Sequence, residues 1–343
     1  MVYFQTVNRE VFPLANNTLN EIAFEQMADK FTKMIVDHTP VAYVIMDKEH
    51  NIVYANNYVL DLTGYHRDDL IGLKCYDIIN HGTPCQYCAV RETFCTGKRA
   101  KILKEELDKF GNPIYNELIS VPILNEDGSF DYVMEIVIGK TEEVSLRKKI
   151  ERDFLKLVET LSYVLETRDT YTGDHSNNVK KISLLIAEEM RLSDLEKQKL
   201  FIAANLHDIG KVGIKDSILN KNGSLTDEEY EIIKSHPVMG SKILSNIESF
   251  DNIKDIVLYH HERYDGRGYP DGLKREEIPF LARIISIADT FDAMTTTRSY
   301  RKALSIDYAR EELLRNRGTQ FDPELVDLFV SMIDKGIISA PSP

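Results

Sequence analysis

Tyr259-His260-His261-Glu262-Arg263-Tyr264-Asp265-Gly266-Arg267-Gly268-Tyr269-Pro270 is the stretch from which the C-terminal half can be read. Two consecutive histidines close the apolar-periodic segment Ile253–Tyr259 and run into a loop carrying three turn-forming residues, Gly266, Gly268 and Pro270. Upstream, Asn205-Leu206-His207-Asp208-Ile209-Gly210-Lys211 follows an apolar helix that starts at Leu200. Adjacent helical positions point about 100° apart, so an imidazole and a carboxylate side by side can grip one ion at a helix edge. Lys211 lies one turn further on. Without a cation, a buried aspartate in such a helix lacks a partner, which is costly.

Downstream, Ile284-Ile285-Ser286-Ile287-Ala288-Asp289 sets a second carboxylate at the end of an apolar run, where acids are seldom buried unpaired. Five of the nine histidines, His175, His207, His236, His260 and His261, fall in this half. A single histidine on a helix is ordinarily a hydrogen-bonded structural residue. Five of them beside acids read differently.

These residues carry a resemblance. The His-Asp-x-Gly-Lys of 207–211, the His-His-Glu of 260–262 and the Asp-Gly-x-Gly-Tyr-Pro of 265–270 stand in the order found in the HD-GYP family, from about Thr160 to the C-terminus. The resemblance implies a metal-dependent phosphodiesterase that hydrolyses cyclic di-GMP to linear pGpG and onward to GMP. It implies two divalent metal ions, iron or manganese first and zinc or nickel as further options, on His175, His207, Asp208, His236, His260, His261 and Asp289. Asp208 would bridge them and Lys211 would act with it in catalysis. Lys211, Tyr269, Asp292, Arg298 and Arg301 would bind substrate, the last two from the basic cluster Thr297–Lys302. Tyr171 stands where some members have the glutamate of a third metal, which favours two, although Asp174 and Glu166 are near. Two alternatives stay open: a receptor that binds without hydrolysing, and a phosphodiesterase for mixed cyclic GMP-AMP.

From Tyr163 onward the pattern is helical, with amphipathic stretches at Val179–Met190, Leu195–Asn205, Glu228–Lys234, Ser241–Leu244, Ile253–Tyr259, Leu281–Met294 and Ile306–Leu314. The second half is expected to be an all-α bundle. Between Thr141 and Thr167, Leu146, Ile150, Phe154, Leu157, Leu161 and Val164 recur at spacings of three and four. That stripe predicts a signalling helix, 143–162, that pairs with its twin in a homodimer.

The first half alternates short strands with turn residues: Val41–Met46, Ile52–Tyr54, Lys101–Leu107, Ile114–Ile123 and Tyr132–Ile138. An antiparallel sheet with intervening helices is expected. With Ala55-Asn56-Asn57, Leu62-Thr63-Gly64-Tyr65 and Asp68–Gly72 in this order, the segment resembles a PAS sensor domain. The expected division is a helical segment over 1–30, a PAS domain over 31–142, the linker helix and a metal-binding domain over 163–343, an α+β domain before an all-α one.

All four cysteines, Cys75, Cys85, Cys88 and Cys95, lie in this sensor. No histidine follows Cys88, so c-type haem attachment is absent. Four close thiols suit an iron-sulfur cluster or zinc; buried reduced thiols or a Cys85–Cys88 disulfide are the alternatives.

The chain of 343 residues suits two domains, and its net charge of −13 argues against a nucleic-acid polymer as partner. No run approaches the roughly 18 apolar residues of a membrane span, and Met1–Glu10 lacks a secretion signal. The cytoplasm is the expected address.

Overall fold

A computed structural model describes residues 17–79, 82–107, 111–168, 174–221, 223–297 and 302–338. They form two compact units that divide at Lys149/Ile150. Among the described residues, no helix is long and apolar enough to cross a membrane.

The N-terminal unit begins with α1 (Asn17–His38). Strands β1 (Ala42–Asp47), β2 (Ile52–Ala55), β3 (Ala100–Leu107), β4 (Pro113–Leu124) and β5 (Phe130–Gly139) follow, with α2 (Asn57–Thr63), α3 (Arg67–Leu70), α4 (Cys75–Ile79) and α5 (Ala89–Thr96) between β2 and β3. The sheet runs β2-β1-β5-β4-β3 with every pair antiparallel. Asn56 shows why the chain turns from strand to helix where it does. Its buried side chain caps α2 at Val59 N, accepts from Tyr43 N and donates to the carbonyls of Val36 and Val41. Gly64 ends α2 at φ 75°, a left-handed conformation that a side chain would oppose.

Side chains alternate across β5, so Val133, Glu135 and Val137 face the helices, and Val133 and Glu135 are buried. This puts a carboxylate where the strand period calls for an apolar residue.

Helix α6 (Thr141–Arg168) crosses the division between the units and runs further than the expected linker helix. Its apolar residues split into two faces. Val158 is buried and Phe154 packs on Phe250, with ring centroids 5.8 Å apart. Leu146, Ile150, Leu157, Leu161 and Val164 are exposed. Phe154 therefore leaves the stripe assigned to pairing, because it points towards the core that Val158 fills.

The remaining helices are α7 (His175–Glu189), α8 (Asp194–Leu206), α9 (Asp216–Leu219), α10 (Asp227–Ile233), α11 (His236–Leu244), α12 (Asp251–Leu258), α13 (Phe280–Thr295), α14 (Ile306–Arg315) and α15 (Pro323–Asp334). Reciprocal Ser193/Glu196 and Thr226/Glu229 hydrogen bonds start α8 and α10. Helix α13 is buried along most of its length; its Phe291 meets Phe329 of α15 edge to face at 5.1 Å. The sequence reading missed α15, although Asp322 caps it and Pro323 opens it.

Candidate metal centre

Five imidazoles and three carboxylates from five segments meet at one place in the helical unit. His207 ends α8 as its cap and Asp208 follows outside α-helical geometry, because the chain breaks there into the 3₁₀ turn Ile209–Gly213. The pair therefore stands beyond the helix rather than on its edge. The turn approaches α11 closely enough that a Cβ on Gly210 would lie 1.9 Å from the carbonyl oxygen of His236. Glycine at 210 is what lets His236 reach Asp208.

Asp208 stands between two groups. Its Oδ2 is 3.4 Å from His207 Nε2 and 4.0 Å from His175 Nε2, and its Oδ1 is 3.3 Å from His236 Nε2. The ligand atoms of His175, His207 and Asp208 lie within 4.8 Å of one another, as do those of His236, His260 and His261. Asp289 Oδ1 lies 3.2 Å from His175 Nε2. Lys211 Nζ reaches Asp208 Oδ2 at 2.7 Å.

The outer ring nitrogens are anchored. Nδ1 of His207, His236 and His260 lies 2.8, 2.8 and 2.6 Å from the carbonyls of Ala204, Ile233 and Val257, each three residues back. A carbonyl only accepts, so each Nδ1 donates and each Nε2 presents a lone pair. Those three Nε2 atoms are buried without a hydrogen-bond partner among the described residues. Buried polar atoms are seldom left so, and anchored Nδ1 with bare Nε2 is how metal-binding histidines are oriented. The donor set fits divalent cations.

His175 is oriented differently. Its Nδ1 lies 2.6 Å from Asp292 Oδ2, and Asp292 also accepts from Asn178 and Thr296. Asp292 is 1% exposed. Assigned to substrate binding from the sequence, Asp292 here has its Oδ2 on His175 and its Oδ1 on Asn178 and Thr296. Asn178 was not foreseen, although its place one turn after His175 was a signal.

Electrostatics follow from these neighbours. Burial alone would raise Asp208, but Lys211 and three histidines hold it well below the ordinary carboxylate range. Asp289 is likewise depressed against its burial, chiefly by His175. For His175 burial is outweighed by Asp289, Asp292 and Asp208, which raise it to about 10. Burial and the neighbouring imidazoles lower His236 and His260, and bring His261 down to about 3. The second group is thus neutral, the form that donates a lone pair to a metal.

The loop after His261 is pinned by Glu262. This buried carboxylate accepts from Asp271 N and Gly272 N, both at 2.8 Å. Gly268 packs so tightly on the backbone of 262–263 that a Cβ there would lie 2.5 Å from Glu262 Cα. Tyr269 consequently lies beside His261, ring centroids 4.9 Å apart. The loop-anchoring role of Glu262 was not read from sequence.

The end of α6 also touches the site's framework. Arg168 donates to the carbonyl of Val212 at 2.9 Å and pairs with Asp216 at 2.6 Å, while Glu166 accepts from Ser176 N at 2.6 Å. Glu166 is therefore engaged by the backbone at the start of α7, and Asp174 is exposed. Tyr171, Arg298 and Arg301 lie outside the described residues.

In the sheet unit, Cys75, Cys85 and Cys88 are partly buried and Cys95 is exposed. Among the described residues, their sulfurs form no set of three ligand atoms within 4.8 Å of one another. Burial first, then Glu135, pushes Cys75 up to about 12. Cys95 lies on α5 facing solvent and Cys88 serves as the cap of that helix.

Comparison with known proteins agrees with both units. An HD domain family model matches residues 159–325 and a PAS domain family model residues 40–142. A protein of Thermotoga maritima named cyclic di-GMP phosphodiesterase is 43% identical over 183 residues, 52% of this chain and 50% of that one. One of Vibrio cholerae with the same name is 33% identical over 263 residues, 70% of this chain and 53% of that one. The 3'3'-cGAMP-specific phosphodiesterase 2 of Vibrio cholerae is 36% identical over 203 residues, 58% of this chain and 39% of that one. The chain spans about half the length, or less, of these relatives. With the histidine-aspartate centre and the antiparallel sheet each in a matched segment, the chain carries an HD domain and, ahead of it in sequence, a PAS domain.

Proposed function

We propose that this chain is a metal-dependent cyclic-dinucleotide phosphodiesterase that opens cyclic di-GMP to linear pGpG, with GMP as the product of a second cleavage. The observation that carries the reading is the set of three buried Nε2 lone pairs on His207, His236 and His260 facing a carboxylate held ionised. His175, His207 and Asp289 would hold one cation and His236, His260 and His261 a second, with Asp208 shared; imidazole and carboxylate donors without thiolate suit iron or manganese. Bound there, such cations supply Lewis acidity and a nucleophile at neutral pH for in-line attack on phosphorus.

The chain's own groups do the rest. Lys211 carries a cationic donor at the edge of the centre, suited to an anionic phosphoryl oxygen. Asp292 keeps His175 from rotating, and Glu262 keeps Tyr269 at the rim as a wall for the dinucleotide. Arg298 and Arg301 are assigned to its phosphates or guanine edges, for which a planar guanidinium is suited.

The filled ligand set favours hydrolysis over binding alone. A mixed cyclic GMP-AMP dinucleotide is the second reading, favoured by the Vibrio cholerae relative named for that substrate. We assign the protein to the cytoplasm, as a homodimer paired through the exposed residues Leu146, Ile150, Leu157, Leu161 and Val164 of α6, with the PAS domain governing the rate. The test is to incubate manganese-loaded protein with each dinucleotide and separate the products by chromatography. Linear product from cyclic di-GMP, abolished in His207→Ala, is expected. Equal turnover by wild type and variant, or none by wild type, contradicts the proposal.

A further inference from the structure

Helix α6 ends at Arg168, beside the 3₁₀ turn that carries Lys211. The guanidinium donates to the carbonyls of Val212 at 2.9 Å and Ile214 at 3.4 Å and pairs with Asp216 at 2.6 Å, while the Arg168 carbonyl accepts from Asn220 at 2.9 Å. Two residues earlier, Glu166 accepts from Ser176 N, next to His175. Leu165 and Glu166 also wall the small cleft that His175, Asp208 and Lys211 line. The last turn of α6 thus meets two of the segments that lead into the centre.

Helix α11 packs on the same 3₁₀ turn at Gly210 and Gly213, where a Cβ would lie 1.9 Å from His236 O and 2.7 Å from Met239 Sδ. Those contacts fix where the turn lies. The guanidinium takes up carbonyls at its C-terminal end, which a helical turn leaves without partners of its own. The ion pair alone adds little to stability, because Asp216 is 69% exposed. The planar fork matters through its reach: its fixed donors span three acceptors set along residues 212–216, which a lysine ammonium on one flexible stem does not reproduce.

We propose that Arg168 is a positioning residue, which holds the turn 209–213 so that Lys211 keeps its ammonium on Asp208 and available to a phosphoryl oxygen. It acts through Lys211 and not on the substrate. The inference rests on the reading of this centre as a phosphodiesterase.

The test measures single-turnover hydrolysis of cyclic di-GMP by the manganese-loaded full chain in wild type, Arg168→Ala, Lys211→Ala and the double variant, with bound manganese determined for each. Arg168→Ala should slow the reaction on the order of ten- to a hundred-fold, the size expected of a catalytic group displaced by about 1 Å, at unchanged manganese content. In the Lys211→Ala background the same substitution should cost less than about twofold, because the group it positions is gone. A merely structural role would multiply the two losses instead. Amide exchange read by mass spectrometry gives a second measure that needs no turnover: residues 209–214 should exchange about ten-fold faster in Arg168→Ala while α13 keeps its rates. Arg168→Lys is the second variant and decides by the same comparisons if the alanine variant does not fold. The inference fails if Arg168→Ala keeps the wild-type rate, loses manganese, slows the reaction equally with and without Lys211, or leaves exchange at 209–214 unchanged. A wild type that opens no dinucleotide overturns the proposed function and this inference with it; an active wild type with any of those results overturns this inference alone.

Discussion

The helical unit and the sheet unit each bury titratable groups, but they finish them differently. In the helical unit every buried imidazole that presents a bare Nε2 has its Nδ1 anchored on a carbonyl, so three incomplete groups point to one place. In the sheet unit Glu135 is buried on the core face of β5 with Lys104 as its cationic neighbour, and the thiols near it are raised by burial and do not converge. Several anchored lone pairs around an ionised carboxylate call for cations; a carboxyl buried singly on an apolar sheet face has its proton held more tightly instead. The difference lies in how many incomplete groups share a point and whether their neighbours hold them still.

The largest effect should come from the residue the two histidine groups share. Asp208→Asn is expected to lower phosphodiester hydrolysis on the order of a thousand-fold, about 4 kcal/mol in the barrier, and to reduce bound metal; assays with equal total metal check it. Asp292→Asn removes the carboxylate that holds His175 Nδ1, and metal affinity should fall roughly 10–100-fold, measurable by chelator competition. Retained affinity would show that His175 needs no such anchor.

The next effect tests the sheet unit. Glu135 has a folded pKa of about 7 against an ordinary 4.5. Its raised value means the folded state holds the proton more tightly, so stability is intact below about 4.5 and falls as pH rises through 7. The change is on the order of 3 kcal/mol, with Lys104, Glu106, Cys75 and Cys88 as its charged or titratable neighbours. Denaturant melts across this range should show the loss in wild type and its absence in Glu135→Gln. The smallest effect should come from the thiols: replacing Cys75, Cys85, Cys88 and Cys95 by serine should leave metal content within about twofold, as zinc, iron and sulfide analysis would show.

The chemistry of the helical unit was legible because its residues stand in sequence blocks with characteristic spacing, and the sheet because its strands alternate between turns. What stayed hidden depended on neighbours distant in sequence. Asp292 resembles a free acid on an apolar helix until His175, far upstream, is placed against it. Phe154 shares a spacing with exposed residues, yet its ring meets Phe250. Four cysteines close in sequence suggested a cluster, but local helix geometry turns Cys95 outward. Glu135 was within reach, since alternation with Val133 and Val137 marks it as inward. Helix α15 was missed although its Asp-Pro start is a recognised signal.

The central claim is that Asp208 joins two metal positions into one centre. Electron paramagnetic resonance of manganese-loaded protein tests it most directly. Two manganese ions per chain with an exchange-coupled spectrum, reduced to uncoupled ions in Asp208→Asn, is the predicted result. A wild-type protein that binds manganese only as isolated, uncoupled ions would contradict it.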